Sequence, residues 1–251
     1  MPAAERHALA TADAFSTHPV KFLLLGDSLA YTLALGLKVG SVHRFGVQVD
    51  NQATLGCDLD NLKAEVSGVI DSPASPCAYW RTFWAGKVAS AHPEVVGLLV
   101  GRWDITDHFD NGAVVHIGQP AWDAHLSDEI NQVVTVLSAG GAKVVLFTMP
   151  DLIPATAPNG TPFPESDPAR VTEFNAILAS VAARRSDVVT LVDLNKLIDP
   201  HGHFQSVIDG VTVRWADGIH ISKPGGEWLQ PLILPTVAQL GLDVRAARAS
   251  P

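Results

Sequence analysis

Apolar residues fall along this chain in short unbroken runs separated by longer stretches of helical spacing. Val20–Leu25, Glu94–Val100, Lys143–Thr148 and Val188–Val192 are runs of strand length with little alternation. Such runs suit parallel strands buried on both faces. Between them, apolar residues three and four apart predict helices over Leu29–Val39, Tyr79–Ala91, Trp122–Ala139, Ala169–Arg185 and Ser222–Leu240. Gly140-Gly141 supplies a helix stop, and Pro224 just after Ser222 favours a helix start. Phe45–Val49 reads as a further short strand and Leu59–Val69 as helical. The intervening Asn51–Cys57, the Ser/Pro stretch Asp71–Cys77 and the proline-rich Met149–Pro168 read as loops. Asn195–Val213 is mixed, with a hairpin expected around Asp209-Gly210.

Strands alternating with helices of this length predict an α/β protein with a doubly wound parallel sheet. Right-handed crossovers bring the strand C-termini to one edge, and ligands bind at that edge. Four segments that follow strands should gather there: Gly26-Asp27-Ser28, Asn51–Gly56, Gly101–Asp104 and Met149–Pro168. No internal repeat or linker interrupts the pattern. The expected organisation is a lead-in over residues 1–19, one domain over 20–240 and a tail over 241–251.

Composition narrows the classes. The 251 residues are 47% hydrophobic, enough for a sizeable core, and carry a net charge of -9 with no Lys/Arg cluster, which argues against nucleic acid as a partner. No apolar run approaches the roughly 18 residues that span a membrane. Met1–Thr17 lacks a signal-peptide hydrophobic region, so the chain is expected to be soluble. Its two cysteines, Cys57 and Cys77, would stay reduced in the cytoplasm and pair in an exported domain; the residues alone leave both open.

Two stretches carry candidate chemistry. Ser28 follows the first strand and begins a helix, where backbone N–H groups and the helix dipole favour negative charge beside its hydroxyl. A nucleophilic serine gains from that placement, although an Asp/Ser helix cap has the same pattern. Asp217-Gly218-Ile219-His220 precedes the last helix. An Asp and a His three apart in a tight loop can supply a base and the carboxylate that orients it. The ordinary alternative is a loop histidine beside a helix cap.

Together these blocks resemble the SGNH hydrolase family, also called GDSL esterases and lipases. Gly26-Asp27-Ser28-Leu29 matches its first block, Gly56 its second and Asp217-Gly218-Ile219-His220 its last. The resemblance implies a flavodoxin-like three-layer α/β/α fold with Ser28 as nucleophile, His220 as base and Asp217 as its orienting carboxylate. It implies an oxyanion hole from the N–H groups of Ser28 and Gly56, with no cofactor and no metal. The third block departs: the family has Gly-x-Asn-Asp, whereas this chain has Gly101-Arg102-Trp103-Asp104. Trp103 replaces an amide donor with one indole N–H on a bulkier ring, and loss of such a donor costs roughly 10²–10³ in rate. Arg102 and Asn51 are the candidate substitutes; packing and a surface ion pair are the plain alternative for Trp103 and Arg102.

The Gly-Arg-Trp-Asp variant, a cysteine directly after Gly56, and Cys77 followed by Trp80 and Trp84 are similar to SGNH domains fused to integral-membrane acyltransferases of the bacterial cell envelope. That narrower resemblance implies an extracytoplasmic location, a transmembrane acyltransferase domain in the same full-length protein, and a Cys57–Cys77 disulfide. The expected function is acyl transfer through Ser28 from an acyl donor to a glycan hydroxyl. A free-standing esterase or lipase is the first alternative, and a catalytically weak glycan-binding domain the second. Asp107, His108 and Asp110, and His201 and His203, lack convincing metal-ligand spacing. Trp80, Phe83 and Trp84 read as core. The Met149–Pro168 loop reads equally as a lid, an acceptor groove or a rigid excursion.

Overall fold

The computed structural model describes residues 17–66, 68–71, 77–153 and 156–250. Most of the expected lead-in and the stretch between Asp71 and Cys77 lie outside them. The core is a parallel sheet of β1 (Val20–Gly26), β2 (Val47–Asn51), β5 (Val95–Leu99), β8 (Lys143–Phe147) and β9 (Val189–Val192), in the order β2-β1-β5-β8-β9. This is the flavodoxin-like order, which reverses between β1 and β5. Every residue of β5, and every residue of β1 except Lys21, is buried, as their unbroken apolar runs require. β9 lies at the sheet's edge and is only partly buried.

Helices flank the sheet in a three-layer α/β/α arrangement. Helix α1 (Ser28–Leu37) packs on α7 (Lys223–Ala249). The second group is α3 (Trp80–Ala91), α4 (Pro120–Leu137) and α5 (Pro168–Arg184), each packed on the next. Two one-turn helices, α2 (Ser41–Phe45) and α6 (Leu194–Ile198), and a small hairpin of β10 (Val207–Ile208) and β11 (Val211–Thr212) complete this part. The hairpin turns at Asp209-Gly210 as expected. Trp80 and Trp84 are buried in the core, ring centroids 5.5 Å apart, and Phe83 packs against it.

Three expectations are corrected. Leu59–Val69 is not a helix: β3 (Lys63–Val66) and β4 (Val69–Asp71) join β6 (Asp107–Asp110) and β7 (Ala113–Val115) in a four-stranded antiparallel sheet, order β4-β3-β6-β7. Its apolar residues have helical spacing, but Leu59 spends its N–H on Asp104 Oδ1 (3.2 Å) and its C=O on Trp80 Nε1 (3.0 Å). Those are bonds to distant side chains that no local pattern signals. Phe45 ends α2, and the second strand starts only at Val47. The last helix runs past Leu240 to Ala249, because Val244 is buried and Arg245 reaches Glu94 (3.0 Å) and the carbonyls of His18 and Pro19.

Candidate active site

The serine is placed by a backbone contact that only glycine permits. Gly26 closes β1 with φ +131°, and a Cβ there would lie 1.9 Å from the Leu99 carbonyl oxygen. Asp27 follows, its N–H donating to that same oxygen at 3.1 Å. Its Oδ1 accepts from the Leu29 N–H at 2.7 Å and caps α1. Ser28 is therefore the first residue of the helix, where backbone N–H groups have no intrahelical partner. Among the described residues, the N–H groups of Ser28 and Gly56 take part in no hydrogen bond.

The loop after β2 hangs on the end of β1. Gln52 and Thr54 donate their N–H groups to the carbonyls of Leu24 (3.0 Å) and Gly26 (2.8 Å). Asn51 is drawn into the same work: its Nδ2 donates to the Tyr31 carbonyl at 3.1 Å and its Oδ1 accepts from the Ala53 N–H at 3.3 Å. Gly56 turns the chain at φ +72°. Cys57, next in sequence, is bonded to Cys77 with Cα atoms 5.2 Å apart, and both are buried. The disulfide, Asp104 and Trp80 thus hold the segment that carries Gly56.

In the third block, Gly101 packs on Met149 and Phe174. Arg102 lies 3.8 Å from Glu165, a buried carboxylate from the long loop. Trp103 is half-buried and does not join the core cluster. Its role is not that of a core packing residue. Asp104 is fully buried, and burial, reinforced by nearby Asp58, pushes its carboxyl well above the usual range.

The Asp217–His220 turn is over-determined. Asp217 Oδ2 meets His220 Nδ1 at 2.7 Å, while Oδ1 accepts from the N–H groups of Ile219 (2.9 Å) and His220 (3.0 Å). A carboxylate on Nδ1 leaves Nε2 as the basic nitrogen. Partial burial raises the Asp217 carboxyl, but the His220 ring and these two N–H groups outweigh it, so Asp217 sits below the ordinary value. Gly218 (φ +71°) is pressed against Ile153: a Cβ would meet its carbonyl oxygen at 2.1 Å, and Ile153 N–H donates to Gly218 O at 2.9 Å. The turn and the segment after β8 are therefore one unit.

Asp27, by contrast, is pushed up to about 6 by complete burial; helix N–H groups, Arg102 and His220 pull it back only partly. His220 is thus electrostatically close to the cap of α1. The Ser28 hydroxyl and His220 are not hydrogen-bonded in this structure; such contacts commonly tighten only with substrate.

Arg214 gave no signal in the sequence, because arginines are ordinarily exposed. Here it is buried, donating to the carbonyls of Asp151 (2.9 Å) and Ile219 (2.8 Å), with Asp199 at 3.8 Å and its guanidinium 4.8 Å from the Phe204 ring. Burial lowers it to about 10 and raises Asp199 to about 6. It ties the histidine turn to the segment after β8. No group of three His, Cys, Asp or Glu side chains among the described residues is arranged to hold a metal ion, and no described helix is long and apolar enough to cross a membrane.

A parallel sheet in this order, with a serine at the C-terminal end of β1 and an Asp–His pair before the last helix, defines the class of SGNH hydrolase folds. A family model described as "SGNH domain (fused to AT3 domains)" matches residues 4–235, and the chain belongs to this family. Solved structures agree on the fold. A carbohydrate acetylesterase from Sinorhizobium meliloti superposes with TM-score 0.56 at 14% identity, covering 88% of this chain and 99% of the other. The native M. smegmatis aryl esterase gives 0.55 at 18% with the same coverage, and TesA 0.52 at 20%, again over 88% and 99%. No curated protein matches the chain.

Proposed function

We propose that this domain transfers an acyl group through an ester on Ser28. The carrying observation is the Asp217–His220 contact at 2.7 Å, in a turn locked by six further hydrogen bonds that involve Asp217, Arg214, Ile153 and Trp215. His220 Nε2 accepts the Ser28 proton as Oγ attacks the acyl carbonyl. Asp217 holds the ring and stabilises the imidazolium. The Ser28 and Gly56 N–H groups receive the oxyanion. His220 then returns the proton to the leaving oxygen, and the same cycle delivers the acyl group to a hydroxyl acceptor.

The family's fusion to AT3 domains supports a finer reading: the acceptor is a cell-envelope glycan, and the domain works outside the cytoplasmic membrane beside a membrane-embedded acyltransferase. The buried Cys57–Cys77 bond fits an oxidising compartment. Transfer tolerates a weakened oxyanion hole better than hydrolysis, because donor and acceptor are held together; Trp103 in place of the family's Asn favours that reading. Simple ester hydrolysis is the second reading, in line with the domain's hydrolase family. Fluorophosphonate labelling and p-nitrophenyl acetate turnover test the mechanism: both are expected in the wild type and absent in Ser28→Ala. Unchanged turnover in Ser28→Ala removes Ser28 from the reaction.

A further inference from the structure

A cavity of about 510 Å³ opens between the antiparallel sheet and the start of α4, lined by Asp60, Asn61, Asp110, Gln119, Trp122 and His125 among others. Its size falls within the range of small-ligand sites. Asp60 is only 9% exposed. Its Oδ1 meets His125 Nε2 at 2.8 Å, but its buried Oδ2 has no partner among the described residues, and neither has the buried Nε1 of Trp122. Buried polar atoms are ordinarily satisfied, so two lining residues that each keep an unsatisfied buried atom, one an acceptor and one a donor, suit a ligand that both donates and accepts once a small side-chain rotation brings those atoms to the cavity surface. The Trp122 ring is wedged between His108 (5.0 Å) and His125 (4.9 Å), and His108 is itself held by the buried Asp58 at 3.2 Å. The His125 side chain is 41% exposed.

We propose that this cavity is a subsite for a neutral saccharide ring. Two carboxylates with no Lys or Arg in the lining repel anionic sugars and accept from sugar hydroxyls. The amides of Asn61 and Gln119 donate and accept, as hydroxyls do. The cavity is lined from segments that continue the second and third motif blocks: Asp60 follows Gly56 and Cys57, and Asp110 lies on β6 beyond Asp104. On that continuity the cavity is assigned as the acceptor subsite. This assignment as the acceptor subsite rests on the acyl-transfer reading; saccharide binding itself does not.

The test uses Ser28→Ala protein, so that nothing turns over, titrated with cellobiose, maltotriose and chitobiose while the indole N–H resonance of Trp122 is followed. Glucuronate serves as the anionic control. At least one neutral sugar should shift that resonance saturably, and adding Asp110→Asn with Gln119→Ala should weaken binding about tenfold or more. In an otherwise wild-type background the same two substitutions should leave p-nitrophenyl acetate turnover unchanged. Failure of all three neutral sugars, affinity unaltered by the two substitutions, or preference for glucuronate overturns the subsite. Sugar binding without ester turnover in the wild type would instead retain the subsite and overturn the acyl-transfer reading.

Discussion

The five-stranded parallel sheet buries all of β5 and nearly all of β1, whereas the four-stranded antiparallel sheet leaves Val69, Ile70 and Val114 largely in solvent. The first stands on apolar runs and backbone pairing. The second stands on buried polar contacts: Asp58 to His108, Asp60 to His125, Asp104 to the Leu59 N–H, and the Cys57–Cys77 bond at its entrance. Hydrophobic burial is non-directional, so the first sheet supplies a stable frame and a strand-end edge. Hydrogen-bonded acids are directional and costly when mismatched, so the second sheet supplies position. The candidate oxyanion loop runs from the first sheet to the second, and the saccharide cavity opens beside the second.

Breaking the frame should have the largest effect. Gly26→Ala places a Cβ against the Leu99 carbonyl at a φ that L-residues avoid. We expect destabilisation beyond about 4 kcal/mol, read as failure to accumulate folded protein or collapse of the urea midpoint. A folded variant with an unchanged midpoint would show that β1 and β5 have slack at the site.

Breaking the tie between the two regions should cost less. Replacing Cys57 and Cys77 with Ala releases a crosslink with a sequence separation of 20, worth about 3 kcal/mol in the loop-entropy model. Ester turnover should fall with stability, because Gly56 adjoins Cys57. A drop in melting temperature with turnover intact would mean that Asp104 and Trp80 hold the loop alone.

The third effect has the opposite sign. The carboxyl of Asp27 is held up at about 6 by burial, so the folded state binds its proton more tightly than the unfolded state. Its contribution therefore weakens as pH rises from about 4 to about 6, and above that the ionised group is a net cost. Asp27→Asn keeps the cap acceptor and removes the charge. It should stabilise the protein by about 2–3 kcal/mol at pH 8 and by almost nothing at pH 4, measured by denaturation at both. Equal effects at the two pH values would show that Asp27 does not titrate in this window.

The smallest effect on stability should come from Trp103→Asn, at the joint between β5 and β6. The ring is half-buried and outside the core cluster, so the loss should be about 1 kcal/mol, well below that of a core tryptophan. Ester turnover should rise if the amide restores an oxyanion donor. A folded variant with unchanged turnover would show that this position does not limit the reaction.

Most of the frame is legible in the sequence, because strands buried on both faces must be continuously apolar and the helices covering them must be periodic. Val20–Leu25 and Glu94–Val100 could be little else. The motif blocks Gly26–Leu29 and Asp217–His220 were legible too, since a cap at a strand end and an Asp-x-x-His turn are local arrangements written in adjacent residues. The antiparallel sheet was not. Leu59–Val69 has helical spacing, and its strand pairing depends on Asp104, Trp80 and β6, all distant in sequence. Nor were the buried Arg214, the raised carboxyl of Asp27 or the saccharide cavity legible. Each is a property of desolvation and of groups converging from several segments, and the chain decides those only once it has folded.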